Sequence, residues 1–482
     1  MLSYIFIFVL GVSPALQSVF DLPLQLAMQG AVLLGCLAWF FIRAYGPGVP
    51  AGFADKKYYP LWAAAALSFA ALLASPFMGQ IVNEWGNYAA GLLIFLFASF
   101  LDKEERSRVD AAVLWGGWLV FALAVFQAFV LKNLLANPPL INLNALAFYA
   151  VVLIPLALER RNWALAGAMV ILVVWTQSLG AALAGLAAAG AYASARLKEN
   201  KYKENVWLLA GLAALAIPVF YLLQADSVAG RLAWWKSAWE MFSLRPLCGF
   251  GHASFTWAQA AFQPEGAFRE HAIYAHNYYL EFLAENGLPA AAAWFWALLA
   301  AARSKTGVVK YSIIAALVHS FVDFGLSVPA NFWVFCWLLS SPSVERAVFL
   351  PSRKTIGSAL LAASLLCAAL AGLDYRSLRF EKHRGLALAA ALAGNAPAAE
   401  AALGPELGTG LFREPALEFL GRVNLTAGRG EPGFRAAVYY EMALLENRYS
   451  AAAWRALARI YSMPGREEQA AGLERRRLEV YR

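Results

Sequence analysis

Charged residues are scarce in this sequence. Asp, Glu, Lys and Arg together make up 15% of it, whereas roughly one residue in four is charged in an ordinary soluble domain. This shortage excludes a chain that is soluble along its whole length. Hydrophobic residues account for 61% of the sequence and its mean hydropathy is +0.55. The composition is that of an integral membrane protein.

Cysteine is scarce as well. The four cysteines are Cys36, Cys248, Cys336 and Cys367. Three of them fall in apolar stretches, and no CxxC pattern occurs. The sequence therefore predicts neither a disulfide framework nor a cysteine metal site. The net charge of +8 comes mostly from the loops between apolar stretches and from the C-terminal tail, so it gives no reason to expect a nucleic-acid partner.

Long apolar stretches occupy most of the chain before residue 376. A membrane-spanning helix needs roughly 20 mostly apolar residues. Thirteen stretches fit, at about 2–20, 23–43, 60–75, 80–101, 111–131, 142–158, 162–177, 179–195, 206–223, 277–301, 309–322, 329–345 and 356–374. The first lacks the basic segment of a signal peptide, so it counts as a span. We predict an all-α polytopic membrane protein with about 12–13 transmembrane helices.

Lysine and arginine are distributed unevenly between the two sides of these spans. With the N-terminus and alternate loops taken as cytoplasmic, the cytoplasmic loops hold eighteen basic residues. The opposite side holds five: Lys132, Arg231, Lys236, Arg245 and Arg269. Because basic loops stay in the cytoplasm, a large loop at about 224–276 and the C-terminal tail are expected outside it. For a bacterium, this predicts a multi-pass protein of the inner membrane with a periplasmic tail.

The tail, residues 376–482, differs in character from the membrane domain at 1–375. Helical runs alternate along it, and one pair is joined at Gly394-Asn395. The run from Ala436 to Tyr461 resembles a tetratricopeptide unit, because small residues alternate with large ones as close helix pairing requires. A plain helical bundle is the alternative. The tail carries no catalytic constellation and is expected to bind an acceptor or a partner protein.

The large outer loop concentrates the polar chemistry. From Gly230 it reads GRLAWWKSAWEMFSLRPLCGFGHASF, an aromatic helix that suits a membrane surface, followed by a glycine-containing turn. The chain then returns to the membrane through AHNYYLEFLAENGLP, which begins at Ala275. Imidazole is the side chain that titrates near neutral pH without help, so His276 is the candidate for proton transfer.

These segments together resemble the O-antigen ligase superfamily, which includes O-antigen ligases, O-antigen polymerases and protein O-oligosaccharyltransferases. The pattern is an arginine before an aromatic helix, then P-x-x-G-x-G, then H-N-x-x-L-x-x-x-x-E-x-G-x-P. The matching residues are Arg231, Pro246, Gly249, Gly251, His276, Asn277, Leu280, Glu285, Gly287 and Pro289. The polar end of a later span, His319 to Ala330, fits too, and the looser resemblance covers about residues 1–350.

The resemblance implies transfer of a glycan from an undecaprenyl diphosphate carrier to an acceptor hydroxyl, as in lipopolysaccharide biosynthesis. No metal or cofactor is expected, and the acceptor is a lipid, a glycan or a protein. His276 would be the catalytic base, and Arg231 would bind the diphosphate. Arg245 is a further candidate for the diphosphate. The expected supporting residues are Asn277, Glu285, Gly249 and Gly251.

One position departs from the family pattern. The stretch TQSLGAAL has Leu179 where the family usually carries an arginine after a serine. A second phosphate-binding arginine is therefore missing or supplied elsewhere, by Lys132, Lys236, Arg245 or Arg269. The loss leaves open altered donor recognition or an inactive relative.

Structural interpretations stand beside these roles. His276 would cap a helix, and Arg231 would bind lipid headgroups or an acidic neighbour. Arg245 would cap the preceding helix, and Asn277 and Glu285 would cap and staple the returning helix. Two further histidines, His252 and His271, are interpreted as solvated loop residues. His319 and Asp323 lie on one helix face and would form a local polar pair or a proton relay.

Three other functions compete with glycan transfer from a lipid diphosphate. One is a transferase with a monosaccharide-phosphate lipid donor, with Asp21 or Glu84 as its base. The second is a lipid-glycan transporter coupled to protons through His319 and Asp323. The third is a repeat-bearing scaffold anchored in the membrane. Few charges at mid-span count against the transporter, and the many spans count against a simple anchor.

Overall fold

The computed structural model describes residues 1–16, 20–134, 138–197, 225–263, 272–342, 348–408, 410–426 and 432–481. Its architecture is all-α, as predicted. The helices of the first part are α1 (Leu2–Val12), α2 (Leu22–Tyr45), α3 (Tyr59–Leu73), α4 (Met78–Ala98), α5 (Lys103–Phe129), α6 (Leu143–Glu159), α7 (Trp163–Thr176) and α8 (Leu179–Leu197). They are followed by α9 (Ala225–Leu244), α10 (Phe255–Ala258), α11 (Tyr278–Ser304), α12 (Val309–Val322) and α13 (Pro329–Leu339).

Four described helices are long and apolar enough to cross a membrane, judged by length and composition. They are α2, α4, α5 and Arg353–Leu392, and further apolar helices are shorter. The prediction of a polytopic membrane protein is confirmed, while the exact number of spans stays a prediction. The span predicted at 206–223 lies outside the described residues.

The helix bundle has two distinct ends. At one end β1 (Val49–Pro50) pairs antiparallel with β2 (Val348–Phe349), and we call this the strand end. The Arg106 guanidinium and the Lys305 ammonium both donate to the Ser340 carbonyl there, at 3.0 and 2.5 Å. At the other end, which we call the loop end, lie residues 245–263, 272–277 and 323–328, between α9 and α11 and between α12 and α13.

The C-terminal part continues the bundle without a break. Helix α14 (Arg353–Leu392) is 40 residues long and includes the predicted domain boundary at 375/376. It is followed by α15 (Ala396–Leu403), α16 (Arg413–Thr426), α17 (Pro432–Glu446), α18 (Ala451–Tyr461) and α19 (Glu467–Tyr481). The turn at Gly394, with φ +73°, separates α14 from α15 where the sequence predicted a junction. Consecutive tail helices pack on one another, but their tetratricopeptide identity stays a prediction.

The tail lies against the loop end of the bundle. The Gln80 amide at the start of α4 donates a hydrogen bond to the Glu414 carboxylate in α16. The Tyr449 ring meets the Phe250 ring edge-on, with centroids 5.1 Å apart. Ser377 of α14 donates to the Asn83 side chain at 3.3 Å. These contacts place the tail beside the large loop.

Candidate functional site

The glycine-containing turn is docked onto a kink in α11. Helical backbone angles are interrupted at Gly287, where φ is +75°. Three backbone hydrogen bonds join the two segments: Phe250 N–H to the Ala284 carbonyl at 3.2 Å, Gly251 N–H to Glu285 at 2.6 Å, and Leu288 N–H to Pro246 at 2.8 Å. The P-x-x-G-x-G and E-x-G-x-P segments are therefore parts of one backbone junction.

Two of the motif glycines are required by this junction. A Cβ atom on Gly249 would lie 2.3 Å from the Glu285 carbonyl, and a Cβ atom on Gly287 would lie 2.3 Å from the Leu247 carbonyl oxygen. Both residues also have positive φ, which side chains other than glycine rarely adopt. The glycines let the turn approach α11 closely enough for the hydrogen bonds to form.

Asn277 and Glu285 occupy positions that stabilise the backbone. The Asn277 side chain caps α11 by accepting from the N–H groups of Tyr279 and Leu280, both at 3.1 Å. The buried Glu285 carboxylate accepts from the Phe255 N–H at 3.0 Å. This geometry favours the structural interpretation of both residues; any part they play in a reaction remains a prediction.

The His276 imidazole lies between two aromatic rings at the loop end. It stacks on Trp234 of α9 with centroids 5.0 Å apart and an interplanar angle of 24°, and meets the Phe324 ring edge-on at 4.8 Å. The Trp235 indole N–H donates to the His276 carbonyl at 3.4 Å. His276 has φ +52°, an uncommon conformation for a non-glycine residue. These contacts set the orientation of the ring.

One carboxylate connects His276 with Arg231. Nδ1 of His276 lies 3.1 Å from Oδ1 of Asp323, and Nη2 of Arg231 lies 3.3 Å from Oδ2 of the same residue. The Asp323 side chain is 1% exposed, whereas Arg231 is 14% and His276 20% exposed. Asp323 therefore forms the buried base of a group whose two other members reach the surface of the site.

Asp323 follows the last residue of α12 and lies between two predicted spans. Burial alone would raise the pKa of its carboxyl, but the His276, His319 and Arg231 side chains outweigh burial and hold the pKa below its ordinary value. The carboxylate is therefore charged at neutral pH. A charged carboxylate can hold the imidazole in place and stabilise its protonated form.

Replacement of this carboxylate should produce a pH-dependent loss of stability. We expect Asp323→Asn to lower the unfolding free energy of the purified protein by about 1–3 kcal/mol at neutral pH. The folded-state pKa of Asp323 is lowered, so its carboxylate contributes its full stabilisation above the unfolded-state pKa of about 3.9. That stabilisation is lost as the pH falls through the folded-state pKa. Thermal unfolding across pH measures this; a difference that stays constant down to about pH 3 would contradict the ion-pair assignment.

The sequence pattern had assigned Asp323 to a different partner. It predicted a local pair or relay with His319, but the Asp323 side chain contacts His276 and Arg231. His319 is buried against the Phe148 ring, with centroids 5.1 Å apart, and its ring nitrogens make no hydrogen bond to a described residue. An acidic residue directly after an apolar span, at the same membrane side as His276, was the signal for the observed pairing.

Arg245 does not join this group. It follows Arg231 by fourteen positions, about 21 Å along a helix. Its guanidinium donates to the Ala74 carbonyl at 2.8 Å and lies over the rings of Phe250 and Tyr449, at 5.2 and 5.8 Å from their centroids. The structure thus places the candidate diphosphate-binding Arg245 at the contact between the loop and the tail.

Leu179 begins α8 beside the group. A Cβ atom on the next residue, Gly180, would lie 3.3 Å from Nε2 of His319, so this helix end adjoins the residues around Asp323. Of the other candidate cations, Lys236 pairs with Glu240 at 3.7 Å, Lys132 is exposed at the end of α5, and Arg269 lies outside the described residues. The structure provides no direct replacement for the missing arginine among the described residues.

A cavity of about 240 Å³ lies next to the His276 group. Its lining includes Glu84, Glu281, Glu285, Tyr88 and His252. The interpretation of His252 as a solvated residue was wrong, because the ring packs on Tyr88 with centroids 4.9 Å apart, and burial lowers the pKa of its imidazole to about 4. His271 lies outside the described residues. No group of three or more His, Cys, Asp or Glu residues in the described ranges is arranged to hold a metal ion.

Comparison with known families identifies the segment that holds most of these features. Residues 164–295 match the family model described as O-Antigen ligase. The match includes Arg231, His276, the glycine-containing turn and the α11 kink, whereas Asp323 lies beyond it. No curated protein matched the chain. Residues 164–295 of this membrane protein are therefore similar to the O-antigen ligase family, and the resemblance to that superfamily is confirmed.

Proposed function

We propose that the protein transfers a glycan from an undecaprenyl diphosphate carrier to an acceptor hydroxyl, as an O-antigen ligase does. The observation that carries this proposal is the contact of one buried carboxylate, Asp323, with both His276 and Arg231. It joins a base for the attacking hydroxyl to a cation for the leaving diphosphate. The match to the O-antigen ligase family supports the same reaction class. A polymerase or a protein O-oligosaccharyltransferase is the alternative within the superfamily.

His276 acts as the base in this mechanism. Nδ1 of its ring lies toward Asp323, so Nε2 is the nitrogen left for the acceptor. As the acceptor oxygen bonds to the anomeric carbon, its proton passes to Nε2, and the bond between that carbon and the phosphate oxygen breaks. The diphosphate leaves with the bonding electron pair. Asp323 stabilises the imidazolium that forms and keeps the ring in its orientation.

Arg231 stabilises the charge on the leaving diphosphate. Its Nη2 contacts Asp323, while its buried Nε makes no hydrogen bond to a described residue. A phosphate oxygen would satisfy that donor, and the planar guanidinium suits phosphate geometry. Because Asp323 already offsets part of the arginine charge, the site would release diphosphate more readily than an unpaired arginine would.

The distribution of basic residues supports a bacterial inner-membrane location with the loop end on the periplasmic side. The tail would then lie in the periplasm beside the site. Helical repeats offer concave binding surfaces, which favours a large acceptor, a glycan or a protein, over a small one. The same surface would also serve a partner protein.

The direct test uses purified protein with an undecaprenyl-diphosphate-linked oligosaccharide and a cell-envelope acceptor fraction. Glycan transfer and release of undecaprenyl diphosphate are both measured. We expect Arg231→Ala to lower kcat/KM by about 10²–10³-fold, because a charge-stabilising donor is lost, and Arg231→Lys to restore part of it. From the family mechanism, we expect a metal chelator to leave the rate unchanged.

Lys236→Ala is the matched control. Lys236 is an exposed cation on the same helix, and it pairs with Glu240 rather than with the site. Its loss should leave transfer close to the wild-type rate. Equal rates for Arg231→Ala and Lys236→Ala would reject the role assigned to Arg231. An absence of transfer by the wild-type protein with every acceptor fraction would reject the proposed function.

A further inference from the structure

The cavity beside the His276 group has a lining suited to a hydroxyl-rich ligand. Three carboxylates line it, from Glu84, Glu281 and Glu285. Ser327 and the Ala275 N–H donate to Glu281 at 2.5 and 2.6 Å, and this fixes the carboxylate in place. Carboxylate oxygens accept several hydrogen bonds each, so acceptor capacity is left for a ligand.

A buried hydroxyl in the same wall lacks a partner. Tyr88 lines the cavity and is 2% exposed, and its hydroxyl makes no hydrogen bond to a described residue. A buried polar group without a partner costs free energy. Because Tyr88 lines the cavity, a small shift of its ring would bring the hydroxyl to a polar ligand there. This observation is independent of the carboxylates and indicates the same kind of occupant.

The lining offers no positive charge to an anion. Three acidic side chains line the cavity, and the described lining includes no lysine or arginine. A diphosphate or a uronic acid would therefore gain no ion pair here, whereas the hydroxyl groups of a sugar can exchange hydrogen bonds with the carboxyl groups. Aromatic rings of Tyr278, Phe282 and Trp257 also line the space, and they can cover the apolar face of a sugar ring. A neutral sugar or an amino sugar fits best.

The cavity adjoins a groove formed with the tail. Gln80, Thr256 and Trp257 line both the cavity and a second space of about 460 Å³. The tail side of that groove is lined by Glu414, Glu418, Arg422, Ser450, Ala451, Ala452 and Arg455. Taken together, the two volumes reach the size of ligand-binding sites, roughly 300–1,000 Å³. A chain of several sugars could extend from the cavity along the tail.

The inner part of this path comes close to the reaction centre. The Phe324 ring stacks on Tyr274, which lines the cavity, with centroids 4.5 Å apart. Phe324 also meets the His276 ring edge-on, with centroids 4.8 Å apart. One aromatic ring therefore contacts both the cavity wall and the imidazole. We propose that the cavity and the tail groove form one saccharide-binding path, which holds a neutral or amino sugar beside His276.

This inference rests on the proposed function for its purpose, but binding can be measured without transfer. The probes are fluorescently labelled maltotetraose, chitotetraose and tetragalacturonate, titrated into the purified full-length protein and followed by anisotropy. We expect a neutral or amino-sugar probe to bind at least about tenfold more tightly than tetragalacturonate. Tyr88→Phe, which removes only the hydroxyl, should weaken binding by about 3–10-fold.

Trp257→Ala should weaken binding of the same probe, whereas Trp239→Ala is the control because Trp239 is an exposed tryptophan on α9 outside the path. His276→Ala should bind the probe normally and fail in transfer, which separates the two proposals.

Displacement of the probe by undecaprenyl-diphosphate-linked sugar would assign the path to the donor glycan; the absence of displacement would assign it to the acceptor.

Three results would overturn the saccharide-binding path. The first is that neither the neutral nor the amino-sugar probe binds the wild-type protein. The second is that tetragalacturonate binds as tightly as the others. The third is that folded Tyr88→Phe and Trp257→Ala proteins, with unchanged melting temperatures, bind like the wild type.

Discussion

His276→Ala should lower kcat for glycan transfer by about 10²–10⁴-fold, the range for loss of a general base. The substitution removes the only imidazole that contacts Asp323 within the described residues. Donor affinity should change little, because Arg231 keeps its position on the carboxylate. The effect should therefore appear in kcat rather than in KM. Single-turnover transfer by the purified variant, compared with the wild type, measures it.

His383→Ala is the matched control for this substitution. His383 also contacts a buried carboxylate, since its Nδ1 lies 2.8 Å from Glu406 in the tail. The two variants thus lose the same side chain and the same type of contact. We expect His383→Ala to keep transfer activity. If His276→Ala kept more than about a tenth of the wild-type kcat, the imidazole would not be the general base.

Gly287→Ala should strongly destabilise the junction between the turn and α11. The new Cβ would lie 2.3 Å from the Leu247 carbonyl oxygen, and the residue has φ +75°. With ψ at 171°, the residue lies in a region that is almost exclusive to glycine, and a side chain there costs about 1–3 kcal/mol. Displacing the docked turn would also break its hydrogen bonds to α11, so we expect a total loss of about 3 kcal/mol or more. Thermal unfolding of the purified protein measures the change.

Gly394→Ala separates backbone strain from the steric clash. Gly394 has a nearly identical φ of +73°, but its Cβ would meet nothing within 4 Å. This variant should lose only the cost of the backbone conformation, about 1–2 kcal/mol. Gly287→Ala should also expose the turn at 246–251 to proteolysis, and Gly394→Ala should not. Equal melting temperatures for the two variants would contradict a tightly docked turn.

The membrane architecture and part of the site were predictable because their signals are local. Apolar runs predicted the spans, and a single motif contains both His276 and the glycine that kinks α11. Asp323 was harder to place, because a carboxylate at the end of a span has neighbours on its own helix and across the bundle. The sequence pattern favoured His319, four positions earlier. Only the tertiary structure shows that the Asp323 side chain lies toward α9 and the loop.

Arg245 and the cavity illustrate the same limit. Arg245 follows the same aromatic helix as Arg231, but one helix length separates the two, and the tail supplies its aromatic neighbour Tyr449. The sequence pattern marks Glu84 only as the base of a transferase with a monosaccharide-phosphate lipid donor. The residues that line the cavity with Glu84 come from α4, the loop and α11. The spacing of residues within one segment cannot predict that these three segments form a common cavity.

Helix α14 has a geometric consequence for the tail. Its 40 residues correspond to a rod about 60 Å long, roughly twice the thickness of the hydrocarbon core of a bilayer. The rod begins near the strand end and contacts Asn83 through Ser377 near the loop end. Each residue added before Ser377 would raise the tail by about 1.5 Å and turn it by about 100°. The length of this helix thus sets both the height and the rotational orientation of the tail over the loop end of the bundle.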